Sequence, residues 1–300
     1  MSSIRILLDG VIDYAGLFPP ASLDMPTAVR NYADYLAGPH AALLGRFLVP
    51  VRRLGEFEDV ASPLLPRGNP VYPWRLSAIG SGDLIQDLEE IIDFNLFHAR
   101  DENAGAAVVD TLELKVETVT QIQRAMYLIP RTLTTYFETP ISTDPADLLD
   151  AIVTSRARAK VRTGGVTPNA FPALDDLLRF IRLCAEARVP FKATAGLHHP
   201  MRGTYKLTYE ENAATATMNG FLNVLLAAAF ARFDLSETEL RALLAETSAD
   251  AFLFDEEGVQ WRRHRLSASQ LELTRQQIVM AFGSCSFTEP VADLQALNLL

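Results

Sequence analysis

The segments ARAKVRTGG (157–165) and PFKATAGLHHP (190–200) decide the fold class. In each of them a lysine or arginine alternates with apolar residues, a period of two that is typical of a strand with one apolar and one charged face. Between the two segments, residues 172–187 repeat apolar residues at the spacing of an amphipathic helix. A strand, a helix and a second strand in this order predict parallel neighbouring strands.

The same alternation of strand and helix extends over most of the chain. Strands are predicted at 45–50, 73–79, 110–117, 132–138, 157–163 and 190–194. Helices are predicted at 26–37, 82–98, 119–128, 145–155, 172–187 and 208–232. This order predicts an α/β fold, a single (β/α)8-type TIM barrel over residues 1–300 with a modified C-terminal part.

Two parts of the chain depart from the regular pattern: an N-terminal segment (1–25) and a C-terminal extension (about 250–300). A closed barrel needs eight strands, so two more are expected in addition to the six. The places considered for them are 251–255 and a piece near 100 or 283. Beyond the predicted strands we expect a helix at 236–247 with a Ser236 capping box, a hairpin around Glu257-Gly258, a helix at 266–281 and a short final helix.

The charged faces of the strands are expected to point into the barrel. Helices cover a parallel sheet, so the apolar faces must meet them. In DTLELKVE (110–117), Glu113, Lys115 and Glu117 share the charged face. Unpaired buried charges cost several kcal/mol, so these residues must pair or lie near the open carboxyl end, where barrel active sites occur. The competing interpretation is a mixed or antiparallel sheet with one solvated face, against which the helix-length spacers count.

Composition limits the classes of partner. A net charge of −10 disfavours nucleic acid and anionic membranes, so an anionic substrate requires a local group of lysine and arginine. The longest apolar stretch, 221–233, is too short to span a membrane. Cys184 and Cys285 lack metal-type spacing and fit a reducing compartment, so a cytoplasmic protein is expected. A homo-oligomer is expected only because homodimers are common.

Two lysines on neighbouring strands indicate amine chemistry. A lysine that is partly desolvated beside another cation loses basicity and becomes a nucleophile that forms a Schiff base with a carbonyl compound. Lys160 and Lys192 fit this pattern, although ion pairs with Glu113, Glu117 or Glu138 explain them equally well. Glycines after a strand let backbone N–H groups approach an anion closely. The candidates for this role are Gly164 and Gly165.

The pair His198-His199 and Cys285 offer further chemistry. One of the histidines can supply a metal ligand together with Glu117 or Glu138, or can contact substrate from a loop. For Cys285 a packed loop thiol near the barrel mouth is preferred over a nucleophile, since no histidine or lysine lies near it in the sequence.

Several segments, taken together, resemble the deoxyribose-phosphate aldolase family of class I aldolases. They occur in that family's order and cover residues 12–196 and one late patch. The segments are IDYAGLFPPA (12–21), FLVP (47–50), DTLELKVE (110–117), YFET (136–139), KVRTGG (160–165), KATAG (192–196) and FGSCS (282–286). The resemblance implies that Lys160 is the Schiff-base lysine, that Lys192 lowers its pKa and that Glu113 is the acid/base partner.

The sequence departs from the family pattern in ways that argue against a phosphosugar substrate more than against the fold. Glu113 stands where the family has aspartate, and Arg162 intrudes between the lysine and the glycines. LHHP (197–200) replaces the second glycine and the residues after it, where the family helps to bind phosphate. The full set of motifs also resembles a group of bacterial proteins, and that resemblance supplies no activity.

Three functional hypotheses follow. The first is a lyase or aldolase that needs no cofactor and forms a lysine Schiff base with a small anionic carbonyl substrate. Its catalytic residues would be Lys160, Lys192, Glu113 and Glu138, and its substrate-binding residues Lys115, Arg162, Gly164, Gly165, His198, His199 and Ser284. The second is a metal-dependent lyase or hydrolase with a divalent ion on Glu117, Glu138 and either His198 or His199. The third is a non-catalytic barrel that binds a small anion.

Overall fold

Eight parallel strands form a closed barrel in the computed structural model, which describes residues 2–68, 72–100 and 105–300. They are β1 (Ile12–Tyr14), β2 (Leu44–Pro50), β3 (Trp74–Ile79), β4 (Ala107–Lys115), β5 (Thr134–Glu138), β6 (Arg158–Arg162), β7 (Phe191–Thr194) and, late in the chain, β13 (Val279–Ser284). Each pairs with its neighbour in chain order, and β13 closes the barrel by pairing with both β7 and β1. The predicted TIM barrel is confirmed.

Helices surround the barrel between the strands. They are α1 (Ser3–Leu8), α2 (Met25–Ala37), α3 (Leu54–Ala61), α4 (Leu84–Arg100), α5 (Val119–Leu128), α6 (Ala146–Thr154), α7 (Leu174–Ala187), α8 (Phe221–Arg232), α9 (Glu237–Leu244), α10 (Ala268–Gln277) and α11 (Thr288–Ala296). Short 3-10 turns lie at Ala41–Leu43, Val51–Arg53, Pro168–Ala170 and Ala249–Ala251. The apolar stripe of α7, which includes Leu177, Ile181 and Cys184, is buried. It packs as the helical spacing predicts.

All six predicted strands are present, and the two additional barrel strands are β1 and β13. β1 has three buried residues, too few to show an alternation. β13 is a mainly apolar run that follows α10 with no glycine or proline between them. The predicted helix at 266–281 was therefore wrong at its end, since α10 ends at Gln277. The expectation near 283 is thus confirmed. The alternative at 251–255 was wrong, and the piece near 100 falls partly on 101–104, outside the described residues.

A hairpin replaces the first half of the predicted helix at 208–232. Its strands are β8 (Gly203–Lys206) and β9 (Thr215–Met218), and only α8 is helical in that range. The threonines of this segment favour strand over helix because their branched Cβ atoms restrict χ1 in a helix. The hairpin follows β7, and it therefore stands at the carboxyl end of the barrel strands.

The C-terminal part adds a small antiparallel sheet of β10 (Phe252–Phe254), β11 (Gly258–Trp261) and β12 (His264–Ser267). The predicted hairpin around Glu257-Gly258 is confirmed as β10–β11, and α9 begins at the predicted Ser236 cap. The range 250–300 thus holds both this sheet and barrel strand β13, and the range 1–25 holds β1. Ser3 ties the two ends together, since its Oγ donates to the Gly258 carbonyl at 2.7 Å.

In the part of the chain that the structure describes, no helix combines the length and the apolar character needed to cross a membrane. The apolar stretch predicted to be a buried helix is α8, whose residues from Phe221 to Phe230 are all buried.

Truncation of a side chain in α8 should destabilise the barrel strongly. Leu226 is completely buried, so Leu226→Ala should lower the free energy of unfolding by about 2–5 kcal/mol through the lost burial and the residual cavity. Leu253 on β10 is 60% exposed, so the same replacement there should change the free energy by no more than about 0.5 kcal/mol. Urea unfolding measures both. Equal losses in the two variants would contradict the burial of α8.

Candidate active site

Four charged residues lie side by side across strands β4 to β7 of the barrel. In the strand register Lys115 of β4 is the partner of Glu138 on β5, which is the partner of Lys160 on β6, which is the partner of Lys192 on β7. Lys160 and Lys192 are both buried, and so is Glu113 of β4. The predicted placement of the two lysines on neighbouring strands is therefore confirmed, and their charges lie inside the barrel.

Glu113 holds the two lysines together. Its Oε2 lies 2.9 Å from Lys160 Nζ, and its Oε1 lies 2.6 Å from Lys192 Nζ. Ser77 Oγ donates to the same Oε1 at 2.6 Å. Both carboxylate oxygens are thus occupied, which compensates the cost of burying this charge.

Each lysine also has a carboxylate partner of its own. Lys160 Nζ lies 2.8 Å from Glu138 Oε2, and Arg162 Nε donates to the other oxygen of Glu138 at 3.0 Å. Lys192 Nζ donates to Asp13 of β1, whose second oxygen accepts the backbone N–H of Arg46 at 2.7 Å. Three carboxylates and three cations therefore form one connected network.

The network sets the protonation of its members. Burial acts to raise the pKa of Glu113, but Lys160 and Lys192 outweigh it and hold that pKa well below its usual value. Burial acts to lower the pKa of Lys192, but Asp13 and Glu113 raise it on balance. Burial also acts to raise the pKa of Glu138, but Lys160 and Arg162 outweigh it and lower the pKa of that carboxyl. Lys192 therefore stays an ammonium paired with two carboxylates, Asp13 and Glu113. These carboxylates offset most of its positive charge at the position of Lys160.

A cavity of about 960 Å³ opens at the carboxyl end of the strands, and this network forms part of its wall. Lys160, Glu113 and Glu138 line the cavity, whereas Lys192 is not among the lining residues and is almost completely covered. A small molecule in the cavity therefore reaches the amine of Lys160 and not that of Lys192. The volume is typical of a small-molecule site.

Three cationic side chains line the same cavity. They are Lys115, Arg124 and Arg162. Lys115 and Arg162, which the sequence analysis predicted as site residues, are both exposed, and Arg124 lies on α5. Within the described ranges, the structure gives neither Lys115 nor Arg124 an ion pair or side-chain hydrogen bond. Both are therefore available to an anionic group of a ligand.

The two predicted glycines separate in role. Gly165 lines the cavity. Gly164 instead packs against Gly196, and a Cβ added to Gly164 would lie 2.9 Å from the Gly196 Cα and 2.5 Å from the Phe171 ring. The absence of a side chain at Gly164 therefore allows two loops to approach each other.

The predicted histidines also separate. His198 lines both this cavity and a smaller one of about 300 Å³, whereas His199 lines only the smaller one. His199 stacks on Tyr205, and its Nδ1 lies 2.6 Å from Asp293 Oδ2. Ser284, the last residue of β13, is buried and is not among the residues that line either cavity. Its Oγ lies 3.5 Å from His198 Nδ1, so it supports that ring.

The predicted metal ligands are not brought together. Glu138 and His198 both line the cavity, but Glu117 is exposed after the end of β4 and is not part of the lining. Glu138 is instead occupied by Lys160 and Arg162. Among residues 2–68, 72–100 and 105–300, no three His, Cys, Asp or Glu side chains are grouped to hold a metal ion.

Sequence reasoning missed three residues of this site. Asp13 and Ser77 complete the charge network, and Arg124 lines the cavity, as does Cys285, which the sequence analysis had placed near the barrel mouth. Asp13 lies within IDYAG (12–16), the segment that carried the family resemblance, and that was a usable signal. Ser77 and Arg124 show no local pattern that marks them as residues of a site.

No protein-family model matches this chain, and no curated protein matches it. The relation to the aldolase family therefore stays a prediction.

Replacement of Glu113 should destabilise the fold and change its pH dependence. Glu113→Gln leaves two buried ammonium groups short of a counter-charge, so the free energy of unfolding at pH 7 should fall by about 3–5 kcal/mol. A carboxyl with a lowered pKa contributes stability above its unfolded-state pKa, near 4.5, and loses it as the pH falls. The variant should therefore lose less further stability than the parent between pH 5 and pH 3, as measured by urea unfolding.

The matched control is Glu256→Gln, at an exposed position. Its free energy of unfolding should stay within about 0.5 kcal/mol of the parent. An equal loss of unfolding free energy in the two variants would contradict the role of Glu113 as the buried counter-charge of both lysines.

Replacement of Gly196 should strain the loop after β7. Its φ of +72° is unfavourable for a side chain, and an added Cβ would lie 2.9 Å from the Gly164 Cα. Gly196→Ala should therefore lower the free energy of unfolding by about 1–3 kcal/mol. Gly55→Ala in α3, where nothing lies within 4 Å of the added Cβ, should instead be neutral or stabilise by up to about 1 kcal/mol. Thermal unfolding compares the two, and a neutral Gly196→Ala would contradict the close loop contact.

Proposed function

We propose that this protein is a lyase of the aldolase type that forms a Schiff base between Lys160 and a small carbonyl substrate bearing a carboxylate or phosphate. One observation carries this proposal. The amine of Lys160 lies at the cavity wall, 2.8 Å from Glu138 and 2.9 Å from Glu113, while the neighbouring Lys192 is covered. A reachable amine beside two carboxylates has both a nucleophile and acceptors for its proton.

Lysine is rare elsewhere in the chain, which supports a chemical role for Lys160. Of the 27 cationic residues, four are lysines: Lys115, Lys160, Lys192 and Lys206. Arginine stays protonated in proteins and cannot serve as an amine nucleophile, whereas lysine can. Three of the four lysines lie on barrel strands β4, β6 and β7, and the two buried ones, on the adjacent strands β6 and β7, share Glu113.

The proton route uses the residues around Lys160. The ammonium gives its proton to Glu138, and the free amine attacks the carbonyl carbon, whose oxygen takes up a proton that the nitrogen loses. The Glu138 carboxyl then protonates the resulting hydroxyl, which leaves as water. Glu138, ionised again, removes the proton of the hydroxyl on the β-carbon, and that C–O bond becomes a carbonyl as the Cα–Cβ bond breaks. The electron pair of the Cα–Cβ bond moves to the iminium, which becomes an enamine on Lys160. Glu113, held by Lys192 and Ser77, stays ionised and stabilises the positive charge of the iminium.

The anionic end of the substrate is assigned to the cations at the cavity mouth. Lys115, Arg124 and Arg162 line that region, and charge-assisted hydrogen bonds from them suit a carboxylate or phosphate. Binding of such a group to Arg162 would withdraw a donor from Glu138 and make that carboxylate a stronger base. Substrate binding and proton transfer would then be coupled through one side chain.

The other two hypotheses are weaker on this geometry. A metal-dependent enzyme needs a group of ligands, and the set predicted for it is not assembled among the described residues. A barrel that only binds a small anion would not need a buried lysine pair next to the anion site. The lyase proposal requires no cofactor, no nucleic acid and no membrane. A cytoplasmic location, where both cysteines would stay free, remains our prediction. A homo-oligomeric state remains a prediction as well.

Borohydride trapping tests the proposal. The purified protein is incubated with 2-oxo acids, phosphorylated aldehydes and uncharged aldehydes or ketones, reduced with borohydride and mapped by peptide mass spectrometry. We expect a stable adduct on Lys160, formed preferentially with the anionic compounds. Lys206 is exposed and lines only the smaller cavity, so its labelling measures reductive alkylation away from the charge network in the same sample.

The matched variant is Lys160→Arg, which keeps the positive charge between Glu113 and Glu138 but should abolish trapping. An adduct on Lys192 would keep the imine chemistry and reverse the assignment of the two lysines. Saturable binding of the anions without an adduct on any of the four lysines would overturn the proposal in favour of an anion-binding barrel. Turnover that a chelator abolishes would favour the metal-dependent enzyme.

A further inference from the structure

A second group of reactive side chains lies on another part of the cavity wall. Cys285 directly follows β13 and lines the cavity, although its thiol has little exposed surface. Its Sγ lies 4.0 Å from His198 Nε2. The two residues are far apart in the chain, but the loops after β7 and β13 are neighbours because those strands pair.

A carboxylate orients the histidine. Glu289 of α11 places its Oε2 3.1 Å from His198 Nδ1, on the opposite side of the ring from the thiol. A nucleophile, an imidazole and a carboxylate in this order form the arrangement that activates cysteine in many enzymes. Tyr209, in the loop between β8 and β9, places its hydroxyl 3.6 Å from the Cys285 Sγ and 3.4 Å from Glu289.

The electrostatics of the cluster agree with its geometry. Burial acts to lower the pKa of His198, but the contacts with Cys285 and Glu289 raise it to about 9. A protonated imidazole beside a thiol stabilises the thiolate. The other titratable groups that face the cluster are Tyr209 from the hairpin, Tyr14 from β1 and His199 beside Glu289. The pKa of Tyr14 is raised to about 12, mainly by burial, so it stays neutral at pH 7.

The thiol and the lysine occupy different levels of the cavity. In the register Lys160, Lys192 and Ala281 are successive partners across β6, β7 and β13, and Cys285 follows Ala281 by four residues. At the rise of a strand this places Cys285 about 13 Å nearer the mouth along the chain direction. The thiol therefore does not share the lysine's charge network.

We propose that Cys285 is a second nucleophile of this cavity, a thiolate held by His198 and Glu289 that adds reversibly to the carbonyl carbon of small aldehydes. This site goes beyond the function proposed for Lys160 and does not rest on it.

The addition step balances within the cluster. The Sγ lone pair forms a C–S bond as the π bond of the carbonyl breaks, and that electron pair moves to the carbonyl oxygen. The oxygen takes the proton from Nε2 of the His198 imidazolium. The products are a neutral thiohemiacetal and a neutral imidazole, and no oxidant or reductant is consumed.

Alkylation kinetics with iodoacetamide test the activation of the thiol. The protein is treated at pH 7 and the labelling rates of Cys285 and Cys184 are followed separately by peptide mass spectrometry. Cys184 is completely buried, so it reports unfolding. We expect Cys285 to react at least about tenfold faster than glutathione at the same pH, because His198 beside its Sγ would stabilise the attacking sulfur.

Two variants separate activation from mere exposure. His198→Asn and Glu289→Gln should each slow the labelling of Cys285 about tenfold while Cys184 stays unlabelled. Glu289→Gln keeps the size of the side chain and serves if His198→Asn does not fold. A Cys285 that reacts no faster than glutathione, or at the same rate in the folded variants, would overturn the proposal.

Protection by glycolaldehyde tests the aldehyde step. Saturating glycolaldehyde should slow the alkylation of Cys285 in both the parent and Lys160→Arg, and removal of the aldehyde should restore the rate. Protection that is lost in Lys160→Arg would come from an imine on Lys160 and would overturn the thiol site while supporting the lyase. Absence of protection in both proteins would overturn the aldehyde chemistry of Cys285. Protection in both would support the thiol site, and the lyase would be contradicted only if the anionic carbonyl compounds also gave no borohydride adduct on Lys160.

Discussion

The balance of charge inside the barrel is the constraint on which the rest of this structure depends. A carboxylate as buried as Glu113 is tolerable only because two ammonium groups and a hydroxyl contact its two oxygens. Those contacts fix the positions of β4, β6 and β7 relative to one another, since each supplies one member. Asp13 extends the same constraint to β1. The interior is therefore specified by charge complementarity as well as by apolar packing.

This balance also distinguishes two lysines that look alike in the sequence. Lys192 is enclosed by carboxylates and covered, so it acts on the site through its charge. Lys160 has the same type of partners but reaches the cavity, and its partner Glu138 has a second cation, Arg162, that a ligand can compete for. The chemistry proposed for Lys160 follows from this difference in access. In the loops after β7 and β13, the contact between Cys285 and His198 depends on the pairing of these two strands and not on the ion pairs of the lysines.

The sequence predicted the barrel and part of the site because alternation of charged and apolar residues is a local signal. The charged face of β6 and the lysine of β7 could be assigned to the interior from that pattern alone. β1 was too short to show it, and β13 merged with the helix before it. The partners Asp13 and Ser77 were missed because a buried ion pair between residues 179 apart leaves no trace in local spacing. The histidine beside Cys285 was missed for the same reason, since His198 lies 4.0 Å from its Sγ only through the fold.

The long separation between Asp13 and Lys192 in the sequence has a consequence for how the chain folds during its synthesis. During synthesis the ribosome releases the first strand long before the seventh, so a nascent half-barrel holds Asp13 and Glu113 without the ammonium group that neutralises both. Such an intermediate gains little by closing around two like charges. Its interior should stay hydrated until β7 arrives, and the chain should acquire its native core in one late, cooperative step instead of strand by strand.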